Sequence, residues 1–139
     1  YKNAKTGNYM MKKKILIVVA NYYRKISNDL LQSALKNFNK KNFSIKIITV
    51  PGAFEIPVTI SRNINKFHGF VALGCVIKGE TPHFDFISNA TTNAIMTISV
   101  NSKKPVGNGI ITCLNKKQAF ARGKKGFEAS EAVKAVLSK

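Results

Sequence analysis

Apolar residues along the chain recur with two alternating periods. Residues 15–20 form a continuous, mostly β-branched run, which is typical of a strand covered on both faces in a parallel sheet. Apolar residues at helical spacing follow it, namely Leu30, Leu31, Ala34, Leu35 and Phe38. Ser27 is the predicted N-cap of this helix, and Asp29 suits the positive end of the helix dipole.

The alternation of strand-like and helix-like segments continues to the end of the chain. The further predicted elements are a strand at Ser44–Val50, a helix from the PGAFE turn through Asn65, a strand at Phe70–Ile77, a helix at about Phe84–Val100, a strand near Gly109–Thr112 and a helical tail divided around Gly123. Strands that alternate with helices predict βαβ units with right-handed crossovers. We therefore predict an α/β fold of three layers (α/β/α), flavodoxin-like, in which helices flank a parallel four-stranded sheet.

The size of the chain fits one globular domain. With 139 residues and 45% apolar composition it can bury a core, so residues 1–139 are predicted as a single domain, with residues 1–14 as an extended or flexible N-terminal segment. The longest purely apolar run, residues 15–20, is too short to span a bilayer. The lysines at 12–14 precede no long apolar region of the kind that follows them in a signal peptide. The expected location is the cytoplasm, without a membrane partner.

Two cysteines, Cys75 and Cys113, are the only ones in the sequence. Both lie in apolar strand-like runs, and neither belongs to a CxxC motif or a Cys/His cluster. We expect reduced core thiols and no metal site.

The formal net charge of +17 raises the question of nucleic-acid binding. The excess consists of 20 Lys against 3 Arg, spread along the sequence without interleaved aromatic residues. Because arginine is the side chain that reads bases and grips phosphates with two hydrogen bonds, this composition argues against nucleic acid as the primary partner.

The unusual polar residues follow the carboxyl ends of the first three predicted strands, at Asn21–Tyr23, Pro51–Glu55 and Lys78–His83. Ligands of open parallel sheets bind beyond those ends, so the sequence predicts a site there. The chain has no GxGxxG, P-loop or GxSxG motif, which removes the sequence support for dinucleotide, nucleoside triphosphate and serine-hydrolase chemistry.

Residues 79–83 allow both a chemical and a structural interpretation. The backbone N–H groups of Gly79, Glu80 and Thr81 could hold a phosphate at a helix N-terminus. Alternatively, Thr81 is an ordinary N-cap with Pro82 at the first helical position. His83 is either a proton carrier, because an imidazole titrates near neutral pH, or a polar residue satisfied at a helix start.

The other candidates are equally open from sequence alone. Glu55 suits the dipole of the helix that it begins, and it could also accept hydrogen bonds from a polyol. Tyr22 could stack on a flat heterocycle or cover the sheet edge. Arg122 lies near a predicted helix end, where a surface role is the simpler interpretation. His68, in the turn before the third strand, is assigned a structural role.

Four segments, IVVANYY, VPGAFEIP, ALGCVIKGETPHFDFISN and QAFARGKKGFEA, resemble in order and spacing the signature regions of the 6,7-dimethyl-8-ribityllumazine synthase family. The resemblance extends over nearly the whole chain from Ile15. It implies an enzyme of riboflavin biosynthesis that condenses 5-amino-6-ribitylaminouracil with 3,4-dihydroxy-2-butanone 4-phosphate and releases phosphate and water. It also implies that no cofactor or metal is needed.

The resemblance assigns a role to each matching position. His83 is the proton carrier, and Tyr22 is the aromatic ring that stacks on the substrate. The resemblance implies that Ala53, Phe54 and Glu55 line the pocket for the ribityl chain and the pyrimidine, with Glu55 on the ribityl hydroxyls, and that Cys75, Val76 and Ile77 contact the pyrimidine. Glu80 and Thr81 are implied to hold the butanone phosphate, which Arg122 clamps. Lys125 and Asn108 are assigned to the substrate site because their positions match site positions of the family.

Three departures from the family pattern concern this site. Asn21–Tyr23 stands where Arg-Phe-Asn is usual, and tyrosine retains the ability to stack. Asn108 stands where an apolar aromatic residue is usual, so that part of the pyrimidine pocket is expected to differ. The turn between Arg122 and Lys125 is shorter than the usual glycine-rich turn.

The resemblance further implies a homo-oligomer whose active sites are shared between adjacent subunits. Family members are pentamers, some of them assembled into icosahedral shells, and riboflavin synthase is a candidate partner. The alternative from another class is a catalytically inactive flavodoxin-like module that binds a flavin-like or polyanionic ligand.

Overall fold

A computed structural model of the chain describes residues 11–79 and 83–139, and the strands in this part form one parallel sheet. The elements, in chain order, are β1 (Lys13–Ala20), α1 (Arg24–Leu35), β2 (Phe43–Val50), a 3-10 turn (Ala53–Glu55), α2 (Ile56–Arg62), β3 (Gly69–Ile77), α3 (His83–Ser102), β4 (Val106–Cys113), α4 (Lys116–Ala121) and α5 (Lys125–Leu137). The strand order is β2-β1-β3-β4, with parallel pairing throughout. The predicted α/β fold with a four-stranded parallel sheet is confirmed.

Helices cover both faces of the sheet and make three layers. Ile15 and Ile17 of β1 point to the face packed against α1, α4 and α5, whereas Leu16 and Val18 point to the face packed against α2 and α3. All four side chains are fully buried. Burial on both faces is the reason that β1 is a continuous apolar run and not an alternating one.

Two glycines allow α5 to lie unusually close to its neighbours. A Cβ atom on Gly107 of β4 would overlap the carbonyl oxygen of Ala129 in α5. A Cβ atom on Gly126 would likewise overlap the carbonyl oxygen of Leu30 in α1. These close approaches fix α5 against β4 on one side and α1 on the other.

The predicted start of the first helix is wrong by four residues. α1 begins at Arg24, with Tyr23 as its N-cap, so Ser27 lies inside the helix and is not the N-cap. Ser27 is buried and its hydroxyl donates to the carbonyl oxygen of Ala20 at the end of β1. Asp29 therefore falls beyond the first helical turn, where a charge gains little from the dipole.

Other boundaries shift by a few residues. β1 begins at Lys13, so the sheet includes the last two residues of the expected N-terminal segment. α2 ends at Arg62 and not at Asn65. β4 is twice as long as the predicted strand near Gly109–Thr112. The division of the tail around Gly123 is confirmed.

His68 holds two neighbouring strands together at their amino ends. Its Nδ1 accepts a hydrogen bond of 2.9 Å from the backbone N–H of Lys14, and its own N–H donates to the carbonyl oxygen of Lys14 at 2.8 Å. The structural role predicted for His68 is confirmed. Burial lowers the pKa of this imidazole below its usual 6.5, and the positive charges of Lys13, Lys104 and Lys14 lower it further.

We expect the stability of the fold to decrease when the pH falls below about 6.5 through the titration of His68. In the interval between the lowered pKa and 6.5, the unfolded chain binds a proton that the folded chain does not, so acid favours unfolding there. Protonation also removes the Nδ1 lone pair that Lys14 uses. Urea unfolding of the protein and of His68→Gln at neutral and mildly acidic pH measures the effect. An equal loss of stability in both proteins would assign the acid sensitivity to other groups.

Candidate active site

A cleft of about 620 Å³ lies beyond the carboxyl ends of β1, β2 and β3. Its lining comprises Tyr22, Tyr23, Gly52, Ala53, Phe54, Glu55, Cys75, Val76, Ile77, His83 and Ile87. The parallel register brings these ends together, since Ala20 of β1 pairs with Val50 of β2 and Val19 pairs with Leu73 of β3. This cleft lies at the sheet edge where the sequence predicts the site.

One wall of the cleft is formed by two tyrosines from the short link between β1 and α1. The ring of Tyr22 meets that of Tyr23 edge to face, with centroids 4.9 Å apart and an interplanar angle of 88°. Tyr23 packs against the core, and the ammonium of Lys116 lies 6.0 Å from its ring centroid. Tyr22 is 76% exposed, so its ring is available to stack on a ligand while Tyr23 supports its edge.

The second wall is the turn that joins β2 to α2. Glu55 ends the 3-10 turn and caps α2, and its backbone N–H donates to the carbonyl oxygen of Gly52 at 3.1 Å. A Cβ atom on Gly52 would stand 3.2 Å from Oε1 of Glu55, so the carboxylate lies directly over this glycine. Phe54 is 61% exposed beside it. The turn therefore presents a carboxylate acceptor next to an apolar ring.

The third wall is the start of α3. His83 is the first residue of this 20-residue helix and is exposed. Ile87 follows one turn later, on the same side of the helix, and supplies an apolar neighbour. Glu80, Thr81 and Pro82, which include the predicted phosphate loop and N-cap, lie outside the described residues.

The floor of the cleft is the end of β3, Cys75–Ile77. Cys75 is buried, and burial raises the pKa of its thiol to about 12, with further contributions from the charge of Cys113 and a hydrogen bond to it. Cys75 is thus a neutral thiol at physiological pH and contributes shape and apolar surface. Both cysteines are free and buried, as predicted.

Three predicted site residues lie outside this cleft. Arg122 caps the end of α4, and its Nη1 donates to the carbonyl oxygen of Thr112 at 3.1 Å. Asn108 is exposed in the middle of the edge strand β4, and its Oδ1 accepts from the backbone N–H of Ile110 at 3.0 Å. Lys125 begins α5 and pairs with Glu128 at 3.2 Å. The cleft of a single chain therefore brings together Tyr22, Glu55 and His83 but none of these three.

Three lining residues were not predicted individually: Tyr23, Gly52 and Ile87. Each has a signal in the sequence. Tyr23 and Gly52 adjoin predicted site residues within the same short loops, and Ile87 stands four positions after His83 on a predicted helix.

The described part of the chain offers no obvious metal centre. Across residues 11–79 and 83–139, no three His, Cys, Asp or Glu side chains are grouped so that they could hold a metal ion. Within the same ranges, no helix combines the length and apolar character needed to cross a membrane.

The chemistry available in the cleft is proton transfer next to an aromatic platform. An imidazole and a carboxylate acceptor line the same cleft as the neutral residues at the end of β3. An exposed ring is suited to a flat heterocycle, a carboxylate to hydroxyl groups, and an imidazole to moving protons near neutral pH.

Comparison with known proteins gives a consistent result. The pattern of the 6,7-dimethyl-8-ribityllumazine synthase family matches residues 12–139. The 6,7-dimethyl-8-ribityllumazine synthase of Bartonella tribocorum is 43% identical over 138 residues, which cover 92% of this chain and 91% of that protein. The protein of the same name from Bartonella bacilliformis is 46% identical over 116 residues (81% and 76%), and that from Agrobacterium fabrum is 40% identical over 137 residues (89% and 93%). The chain belongs to the 6,7-dimethyl-8-ribityllumazine synthase family.

Proposed function

We propose that this protein is a transferase that forms 6,7-dimethyl-8-ribityllumazine from 5-amino-6-ribitylaminouracil and 3,4-dihydroxy-2-butanone 4-phosphate in riboflavin biosynthesis. The observation that carries the proposal is the convergence of Tyr22, Glu55 and His83 on one cleft in a chain of this family. An inactive binding module would need the platform and the carboxylate, but it would have no use for an imidazole in the same cleft.

The reaction requires several proton movements around one carbon skeleton. The amine of the pyrimidine attacks the ketone, and loss of water gives an imine. Loss of a proton then allows phosphate to leave, and attack of the second nitrogen closes the ring with loss of water. We assign these proton transfers to His83, because a neutral imidazole accepts a proton and its conjugate acid returns one near pH 7.

The remaining residues bind and orient the two substrates. We assign the pyrimidine to the space between the ring of Tyr22 and the floor formed by Cys75–Ile77, and the ribityl hydroxyls to the carboxylate of Glu55. Ala53 and Phe54 complete this side. Holding two reactants in contact replaces a bimolecular encounter, which is a large source of acceleration when no cofactor takes part.

The butanone phosphate requires positive charge and N–H donors. We assign its phosphate to the segment that contains Glu80 and Thr81 and to the guanidinium of Arg122, whose planar fork suits a phosphate better than a lysine does. By family position, we assign Lys125 to the site next to Arg122 and Asn108 to the pyrimidine pocket.

Incubation of the purified protein with both substrates tests the proposal. Formation of the lumazine, followed by its fluorescence, should be faster than the spontaneous reaction of the same substrates without protein. A rate equal to the spontaneous one, with folded protein and intact substrates, would reject the enzymatic assignment.

We also propose that each active site is completed by a neighbouring subunit of a homo-oligomer. Arg122 and Asn108 are exposed and lie outside the cleft of their own chain, where a neighbour could use them. A second observation supports an interface: Phe86, Met96 and Val100 of α3 are each more than 60% exposed. They lie within about 80° of the helix circumference, so they form one apolar stripe of the kind that subunits cover.

The assignment of Arg122 to the neighbour predicts complementation between two inactive variants. His83→Ala and Arg122→Ala proteins should each have little activity alone, but mixed oligomers of the two should recover it. With random mixing in equal amounts, a site needs an intact His83 from one subunit and an intact Arg122 from the next, so about a quarter of the sites should work.

A mixture of His83→Ala with Glu55→Ala is the matched control. Both residues line the cleft of one chain, so no mixed site regains both, and the activity should stay low. Absence of recovery in verified His83→Ala/Arg122→Ala mixed oligomers would instead assign Arg122 to the same subunit as His83.

We infer the assembly and its setting from the resemblance to the family. We propose a ring of five subunits, which in some relatives builds icosahedral shells, and a cytoplasmic location. Riboflavin synthase, which consumes the product, is the proposed functional partner. Gel filtration coupled to light scattering distinguishes a pentamer from a shell.

A further inference from the structure

The amino ends of the strands, opposite to the cleft, form a surface rich in positive charge. We call this surface the amino edge, and it consists of residues 11–14, 39–42, 61–68 and 102–105, the four segments that lead into β1, β2, β3 and β4. Nine of the 23 basic residues lie there, namely Lys12, Lys13, Lys14, Lys40, Lys41, Arg62, Lys66, Lys103 and Lys104. All of them except the half-buried Lys104 are exposed, and the four segments contain no Asp or Glu. The fold therefore brings basic residues from four separate stretches of the sequence onto one surface whose segments contain no Asp or Glu.

The acidic residues that the structure describes lie elsewhere. Glu55 and Asp85 are at the opposite end of the sheet, and Asp29 is in the middle of α1. Glu128 and Glu131 lie on α5, where the first pairs with Lys125 and the second accepts a hydrogen bond from Asn37 at 2.8 Å. In the part of the chain that the structure describes, no salt bridge joins one of these side-chain carboxylates to a basic residue of the amino edge.

Hydrogen bonds between the four segments hold this surface in a fixed arrangement. The N–H of Lys13 donates to the carbonyl oxygen of Asn42 at 2.9 Å, which joins the segments before β1 and β2. The reciprocal pair of His68 and Lys14 joins the segments before β1 and β3. The segment before β4 is joined to the one before β3 through the ammonium of Lys104, which donates to the carbonyl oxygen of Ile64 at 2.6 Å.

The pKa of the His68 imidazole reflects the positive charge of the neighbouring lysines. Burial lowers its pKa, and the ammonium groups of Lys13, Lys104 and Lys14 lower it further, which places three of the edge lysines within electrostatic reach of one ring. Like charges held at such distances on a rigid surface repel one another, and a polyanion relieves that repulsion.

We propose that the amino edge is a docking surface for an acidic segment of a partner protein. With neighbouring strands about 4.8 Å apart, the four strand entries span about 14 Å, which four to five residues of an extended acidic chain cover. Arg62 is the only arginine of the edge, and its aromatic residue Phe67 is half-buried against Phe70. The edge thus offers a single bidentate group and no exposed Phe, Tyr or Trp ring on which a base could stack, whereas lysine ammonium groups suit carboxylates well. A partner docked here leaves the cleft at the other end of the sheet open to substrates.

Binding of a labelled poly-glutamate peptide to the full-length protein, measured by fluorescence anisotropy, tests this proposal. The edge variant is Lys13→Gln/Lys66→Gln/Lys103→Gln, which leaves the ammonium of Lys104 on Ile64 intact. The matched control is Lys25→Gln/Lys46→Gln/Lys117→Gln, which removes the same charge from exposed lysines outside the edge. We expect affinity to fall about tenfold or more in the edge variant and much less in the control. Lumazine formation should be unchanged in both.

Three outcomes would overturn the proposal. The first is an equal loss of affinity in the two variants, which would show that only net charge matters. The second is no measurable binding by the unmodified protein at about 0.15 M salt. The third concerns a single-stranded oligonucleotide that carries the same number of charges as the peptide. If the protein binds this oligonucleotide more tightly than the peptide at the same salt concentration, the edge is a nucleic-acid surface.

Discussion

Replacement of His83 by alanine should lower kcat by about 10²–10⁴-fold and leave the fold intact. The residue lines the cleft as the first residue of α3 and is exposed, so truncation removes the imidazole without opening a cavity in the core. The expected loss corresponds to about 3–5 kcal/mol of transition-state stabilisation. Because proton transfer and not substrate binding is removed, KM should change much less than kcat.

The second histidine of the chain supplies the control for this experiment. His68 lies at the amino edge, where it holds β1 and β3 together, so His68→Gln should retain the kcat of the unmodified protein. Rates are compared after subtraction of the spontaneous reaction, and circular dichroism establishes that each variant is folded. A folded His83→Ala protein with the turnover of the unmodified one would exclude His83 as the proton carrier.

Replacement of Gly126 by alanine should destabilise the fold by about 3 kcal/mol, although alanine is the better helix former. Helix propensity alone predicts a gain of about 1 kcal/mol for glycine to alanine inside a helix. At this position, however, the new Cβ atom would overlap the carbonyl oxygen of Leu30 and lie 2.5 Å from Oγ of Ser33. Backbone atoms of α1 would have to move, and α5 would separate from it.

Gly79 provides the matched control, because a Cβ atom there has no neighbour within 4 Å among the residues that the structure describes. Gly79→Ala should change the free energy of unfolding by less than about 1 kcal/mol. Urea unfolding followed by circular dichroism measures both variants, and the comparison uses the midpoint at an unchanged m-value. Equal midpoints for Gly126→Ala and the unmodified protein would mean that α1 and α5 are not in such close contact in solution.

The order of elements could be predicted from the sequence because each buried strand of this sheet carries a distinctive run of apolar residues. β1 and β3 are covered on both faces, which selects continuous apolar segments that no surface element shares. β4 was predicted too short because Gly107 and Asn108, residue types that are unfavourable in strands, precede the predicted start at Gly109. These glycines are required by neighbours, since a Cβ on Gly109 would stand 2.6 Å from Cδ2 of Leu73. Such tertiary constraints leave no local signal.

The start of α1 was mispredicted for a related reason. Serine before an apolar helical pattern is normally an N-cap, but Ser27 donates its hydroxyl to the end of β1. The hydrogen bond joins two elements whose proximity is not encoded locally.

The residues of the candidate site also fall into two groups, those that could be predicted from the sequence pattern and those that could not. Tyr22, Glu55 and His83 could be brought together from the sequence because the carboxyl ends of adjacent parallel strands must meet at one edge. Arg122, Asn108 and Lys125 were assigned only through the family resemblance, and the cleft of a single chain does not include them. No periodicity or spacing within one chain encodes which surface a second copy would supply.

The short link Asn21–Tyr23 has a thermodynamic consequence for ligand binding. Its ends are tied before any ligand arrives, because the N–H of Asn21 donates to the carbonyl oxygen of Val50 at 3.0 Å and Tyr23 accepts the first helical hydrogen bond of α1 from Ser27 at 2.9 Å. Fixing the backbone of a free residue costs about 1–2 kcal/mol at room temperature. Folding has already ordered these three residues. The ring of Tyr22 can therefore stack on a ligand without a loss of backbone entropy that would weaken binding.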